Sequence, residues 1–169
     1  DVAVTLERTV AKIAVQASTT AEFSERYSGK VRINSVVLSK AASRSNLIAQ
    51  QTPNTGPMTF THTQAADELS GKFRNLFYVP ENGELAEGSR LLLTLGATYD
   101  RDGNFSTTDD QADVTYPVEL SGDGAGRFLR NGYYRVQALI DGLTGSELSV
   151  SISVADWETP VTQSVNLGQ

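Results

Sequence analysis

Cysteine is absent from this 169-residue chain, histidine occurs once, and no stretch stays apolar for long. Each scarcity removes a class of function. Without cysteine there is no disulfide, no thiolate metal site and no sulfur nucleophile. The single histidine, His62, excludes any site that needs two imidazoles, and it would have to serve as the base for every serine. No run approaches the roughly 20 consecutive apolar residues that cross a bilayer as a helix. A basic stripe is missing as well: 14 Lys and Arg face 20 Asp and Glu, a net charge of −6, which argues against a nucleic-acid partner. The chain starts at Asp1 rather than Met, so the expectation is that a signal, a lipid anchor or a tag has been removed upstream.

What is present is a globular composition. At 39% hydrophobic residues the chain can bury a core, and its length suggests one domain over residues 1–169. Alternation of apolar and polar residues dominates, which predicts strands nearly everywhere. In "ELSVSISVAD", Leu148, Val150, Ile152 and Val154 share one face and three serines the other. "SRLLLTLGATYD" places Leu91, Leu93, Leu95, Ala97 and Tyr99 together. "ADVTYPVEL" aligns Val114, Tyr116, Val118 and Leu120, with Pro117 suiting an edge strand. "YYRVQALI" aligns Tyr134, Val136, Ala138 and Ile140. In "GKVRINSVVLS", Val31 and Ile33 share one parity and Val36 and Leu38 the other, which predicts a β-bulge near Asn34 or Ser35. With "PMTFTHT", "FRNLFYVP", the opening segment and the final "PVTQSVNL", about nine or ten strands are expected. Turns rich in Gly, Asp and Asn separate them, so the fold class read here is an all-β Greek-key sandwich. Two segments, "SKAASRSNLIAQ" and "THTQAADELSGKF" with Thr63 as a cap, are expected to hold short helical turns.

The opening "DVAVTLERTVAKIAVQ" contains a seam. Val4, Leu6 and Val10 take even positions while Ala11, Ile13 and Val15 take odd ones. Since a one-residue slip flips a strand's faces, Glu7 to Thr9 is either a bulge or a crossing between sheets.

Chemistry-bearing clusters are few. "YDRDGNFSTTDDQAD" gathers hard oxygen donors of the kind Ca²⁺ prefers, with Asp100, Asp102, Asn104 and Asp109 the candidate ligands and Asp110 and Asp113 nearby. It is not an EF-hand loop, because glycine stands fourth rather than sixth and Gln111 takes the place of the closing Glu. A solvated hairpin with Asp-Gly at its turn is the other reading, and no cofactor is called for. Tyr133, Tyr134, Tyr78, Phe77 and Trp157 could line a sugar-binding face or fill the core, and alternation leaves at most one of Tyr133 and Tyr134 free to bind. No nucleophile elbow, phosphate-binding loop or carboxylate pair across a cleft is present, so the chain is read as non-enzymatic.

Several segments in order resemble the fimbrillin superfamily of Bacteroidales, the type V surface pilins. They are "R-x-VAKIAV" from Arg8, "VRINSVVLSKAASRSNL" from Val31, "FYVPEN" from Phe77, "TYPVEL" from Thr115, "RNGYYRVQALIDGL" from Arg130 and "VADWE" from Val154. The resemblance implies a transthyretin-like sandwich exported as a lipoprotein precursor and polymerised at the cell surface, its only membrane contact being a lipid anchor that is later removed. It also implies cleavage by an arginine-specific protease, mapped here to Arg8 and Thr9, with Val2, Val4 and Leu6 as the inward residues of the removable strand. Neighbouring pilin subunits are then the partners, a C-terminal strand with Val161, Val165 and Leu167 being the donor. Family pilins commonly run to about twice this length, so one domain of a longer two-domain pilin is the companion expectation. The alternative is an adhesin domain, at a pilus tip or on a surface lipoprotein, that binds a host glycan or protein.

Overall fold

The computed structural model describes residues 7–53, 55–69 and 72–155. Among these residues nine strands and one short helix follow in order: β1 (Val10–Thr19), α1 (Ala21–Arg26), β2 (Lys30–Ala41), β3 (Phe60–Ala65), β4 (Glu68–Leu69), β5 (Lys72–Pro80), β6 (Leu92–Asp100), β7 (Gln111–Glu119), β8 (Tyr133–Ile140) and β9 (Leu148–Ala155). They form a five-stranded sheet ordered β4-β5-β1-β8-β9 and a four-stranded sheet ordered β3-β2-β6-β7. The chain changes sheet four times, after β1, β3, β5 and β7, and this crossing gives the Greek-key sandwich. Neighbouring strands are antiparallel except β1 and β8, which run parallel because their connection spans the whole opposite sheet.

Alternation sends the expected side chains inward. Ala11, Ile13, Val15 and Ala17 of β1 meet Leu91, Leu93, Leu95 and Ala97 of the β6 segment, Tyr116 and Leu120 around β7, and Tyr134, Val136, Ala138 and Ile140 of β8 in one buried cluster. Burying a side chain of this kind stabilises the fold by about 1.5–3 kcal/mol. Tyr116 is fully buried, and its hydroxyl donates to the Gly142 carbonyl at 2.8 Å. Burial pushes that phenol up to about 12.

The bulge forecast in β2 is present: the register with β6 shifts between Ile33 and Ser35. Ile33, Val36 and Leu38 thereby all reach the core despite their mixed parity. Opposite the shift lies Gly96, where an added Cβ would stand 2.6 Å from the Ser35 hydroxyl oxygen. A side chain there would have to displace the Ser35 hydroxyl, so glycine suits the close approach of the bulged strand. β7 is an edge strand, and Pro117 lies on it as expected. β9 is the opposite kind of edge, with Leu148, Val150 and Ile152 half-buried and Val154 63% exposed.

The two expected helical turns are not helical. Residues 39–41 close β2, and Thr63 to Ala65 belong to β3; pairing with Val37, Val36 and Ser35 of β2 outweighs the weak cap signal. The helix falls instead at Ala21–Arg26, where the Thr20 hydroxyl accepts from the Phe23 amide at 3.2 Å. Phe23 anchors it, its ring 4.8 Å from Tyr27 and 6.2 Å from Tyr99. The final strand expected over "PVTQSVNL" lies outside the described residues, as does the opening strand up to Leu6.

Candidate functional site

The seam at Glu7 to Thr9 sits at a corner assembled from distant parts of the chain. Glu7 and Arg8 are exposed and outside any strand, the chain bends at Thr9, and β1 begins at Val10. The Val10 carbonyl accepts from the Asn131 amide at 3.0 Å, and the Lys12 amide donates to the Gly132 carbonyl at 2.9 Å. Asn131 takes a left-handed conformation (φ 58°), one that Asn tolerates better than most residues, and this lets the turn fold back toward the start of β1. Arg8 Nη1 donates to Asn131 Oδ1 over 3.4 Å, an exposed and long hydrogen bond.

Beneath this corner lies a buried ion pair between "FYVPEN" and "RNGYYR". The side chains of Glu81 and Arg130 are each only 7% exposed. Arg130 Nε donates to Glu81 Oε1 at 2.9 Å, and Nη2 bonds the same oxygen. The guanidinium also donates to the carbonyls of Asn46 and Leu47 at 2.7 and 3.2 Å. The hydrogen bonds from Arg130 hold the Glu81 carboxyl below the usual range, against the opposing effect of burial. Glu81 and the charge of Glu7 hold the Arg130 guanidinium above its ordinary value. Next in sequence, Asn82 is fully buried and donates to the carbonyls of Gly83 and Gly126, both at 2.7 Å. The corner that carries the exposed Arg8 thus adjoins a buried, multiply hydrogen-bonded ion pair.

The other residues of the cleavage and exchange scheme, Val2, Val4, Leu6, Val161, Val165 and Leu167, lie outside the described residues.

The acidic hairpin between β6 and β7 brings together a different set from the one expected. Oxygens of Asp100, Asp102 and Asp110 lie within 4.8 Å of one another, while Asp109 is exposed and outside this group. Asn104 contributes its backbone amide, which donates to Asp100 Oδ1 at 2.8 Å and Asp102 Oδ1 at 2.7 Å. Asp100 is fully buried; Gln111 donates to its second oxygen at 2.9 Å. Burial alone would raise the Asp100 carboxyl, but the bonds from Gln111, Asp102 and the loop amides outweigh it and lower the value. At Asp102 the Asn104 amide pulls downward, and the bond to Asp100, some desolvation and the neighbouring carboxylates together raise the group. Asp102 N–H donates to Asp110 Oδ2 at 3.0 Å, and Asp110 Oδ1 is buried without a hydrogen-bond partner.

Of the aromatic residues, Phe77 and Tyr134 are core and Tyr133 is 9% exposed, while Tyr78 is half-exposed. Trp157 lies outside the described residues. His62, on edge strand β3, faces the rings of Phe60 at 4.7 Å and Phe77 at 6.2 Å. Its Nε2 is buried without a partner, and burial lowers its basicity. The buried Glu81–Arg130 pair is the functional neighbourhood that sequence reading missed; the two blocks quoted for the resemblance were its only signal.

A scan against protein-family models finds no match, and a search of curated protein sequences finds none either. Solved structures do match. A Parabacteroides distasonis protein assigned to cell adhesion superposes with a TM-score of 0.63 at 15% identity, over 94% of this chain and 54% of that one. The fimbrilin of Porphyromonas gingivalis W83 gives 0.57 at 17% identity, over 93% and 60%. The chain has a fimbrillin-like fold. The tip fimbrial protein Mfa3 of Porphyromonas gingivalis, C-terminally truncated, matches with 0.50 at 16% identity, over 89% of this chain and 52% of that one. This fimbrillin-like chain spans only somewhat over half the length of these structures, and among its described residues no helix is long and apolar enough to cross a membrane.

Proposed function

We propose that the protein is a non-enzymatic structural or accessory subunit of a bacterial cell-surface fimbrium. It is exported to the outer surface and corresponds to one domain of a longer pilin. Cleavage between Arg8 and Thr9 releases the segment that carries Val2, Val4 and Leu6, and a neighbouring subunit's strand, of the type formed by Val161, Val165 and Leu167, takes its place. Losing a strand leaves unpaired backbone groups and apolar pockets, and an alternating strand from another chain satisfies both. Because donor and acceptor are different surfaces, the contact repeats without closing and builds a filament.

The observation that carries this reading is the placement of Arg8. It is exposed and outside any strand, directly ahead of a strand whose own pairing begins at Val10. The bond after Arg8 therefore lies ahead of the β1 pairing, and a protease need release only the first residues of β1 to engage it. Digestion with an arginine-specific protease, mapped by mass spectrometry, tests it. The first cut is expected after Arg8, ahead of the exposed loop arginines Arg44 and Arg101. A first cut at either loop, with Arg8 still joined to Thr9, rejects the maturation step.

A further inference from the structure

A cavity of about 550 Å³ opens on the outer face of the five-stranded sheet, lined by side chains from β5, β1, β8 and β9. Its floor is small because β1 places Ala14 there, between Leu76 on β5 and Arg135 on β8. The next row across the sheet reads Arg74, Gln16, Gln137, Ser151, and Ser153 pairs beside Arg135. Strand spacing and rise set Arg74 and Arg135 about 12 Å apart at their Cα atoms, one on each side of the Ala14 floor. The Arg135 guanidinium lies over the Tyr133 ring at 5.2 Å, and Lys12 lies over the same ring at 4.4 Å, so Arg135 is held in place by the sheet surface.

The charge of this face is the opposite of the chain's. Net charge is −6, and Arg26, Lys40, Arg90, Arg127 and Arg130 each pair with a carboxylate. Among the described residues, Arg74 and Arg135 form no such pair. The polar groups between them are carboxamides and hydroxyls, which hydrogen-bond neutral polar partners in either direction. Both inner strands here, β1 and β8, are already paired on their two edges. A peptide therefore cannot add to this face as a strand, and recognition must run through side chains.

We propose that this face is a binding site for an acidic saccharide, a sugar bearing a carboxylate or sulfate. The guanidinium groups of Arg74 and Arg135 take the oxyanions, while Gln16, Gln137, Ser151 and Ser153 take ring hydroxyls. Arg8 does not line the site and binding does not depend on strand exchange, so an uncleavable Arg8→Lys protein should bind as the parent does.

Calorimetric titration tests it with four probes: galacturonate oligomers, heparin-derived oligosaccharides, neutral galactose oligomers and oligoglutamate. Binding is expected to one or both acidic saccharides, weakening as salt rises, and to neither of the other probes. Arg74→Gln and Arg135→Gln are each expected to weaken it about tenfold, the scale of one lost charge-assisted contact. Ala14→Leu, which keeps every charge but raises the floor, should weaken it as well, with thermal melting confirming that the variant is folded. Arg127→Gln, which breaks a loop ion pair instead, should leave binding unchanged. The proposal is overturned by equal binding of neutral oligomers or of oligoglutamate, by equal loss in the Arg127 variant, or by no binding of either acidic saccharide.

Discussion

At the residue scale, a buried ion pair and the single histidine shape how the protein responds to substitution and to pH. Glu81 and Arg130 are almost fully withdrawn from water, so removing one leaves the other charged and unpaired. Glu81→Ala or Arg130→Ala is expected to cost roughly 2–4 kcal/mol, read as a fall in the denaturation midpoint. Since the Glu81 carboxyl is lowered in the fold, its contribution is present above the unfolded carboxylate value of about 4.5 and is lost as pH falls through the lower folded value. His62 behaves in the same sense for a different reason. Burial lowers it, so the unfolded chain takes up its proton first, and stability should decline as pH drops below about 6.5. With one histidine in the chain, His62→Phe should flatten the stability profile between about pH 7 and 5. An unchanged slope in that variant would assign the decline to other groups.

At the element scale, what the sequence revealed and what it hid divide by physical cause. Strands announce themselves by alternation: β6 and β8 bury the side chains their parity indicates, while edge strand β7 buries Tyr116 fully and Val114 and Val118 in part. The β2 bulge was legible because the parity shift between Ile33 and Val36 has no other remedy in a two-layer sandwich. α1 was not legible: at six residues it is too short for helical periodicity, and it rests on a cap at Thr20 and one buried ring, Phe23. Thr20→Ala should accordingly cost about 1 kcal/mol, measurable by chemical denaturation, and Thr20→Asp should restore most of it. In the acidic hairpin the choice of Asp110 over Asp109 depends on how the turn closes, through the Asp102 amide and Gln111, and composition carries no trace of that. The basic outer face was equally hidden, since Arg74 and Arg135 lie far apart in sequence and meet only because β1 separates β5 from β8.

At the scale of the whole molecule, the sandwich carries an exposed arginine, Arg8, at the threshold of the middle strand of its five-stranded sheet. The Glu81–Arg130 pair and the 130–132 turn fix that threshold from below, so cutting at Arg8 should leave β1 and the core standing. The fimbrillin-like fold is shared with adhesion and fimbrial proteins of low sequence identity, and the assembly step remains the proposal that gives the fold its use. Capture of a labelled peptide spanning Pro160 to Gln169 by the arginine-protease-treated protein tests that step most directly. The account predicts a stable one-to-one complex with protein cut after Arg8, and none with intact protein or with the Arg8→Lys variant carried through the same treatment. A protein cut after Arg8 that stays folded and takes up no peptide would contradict it.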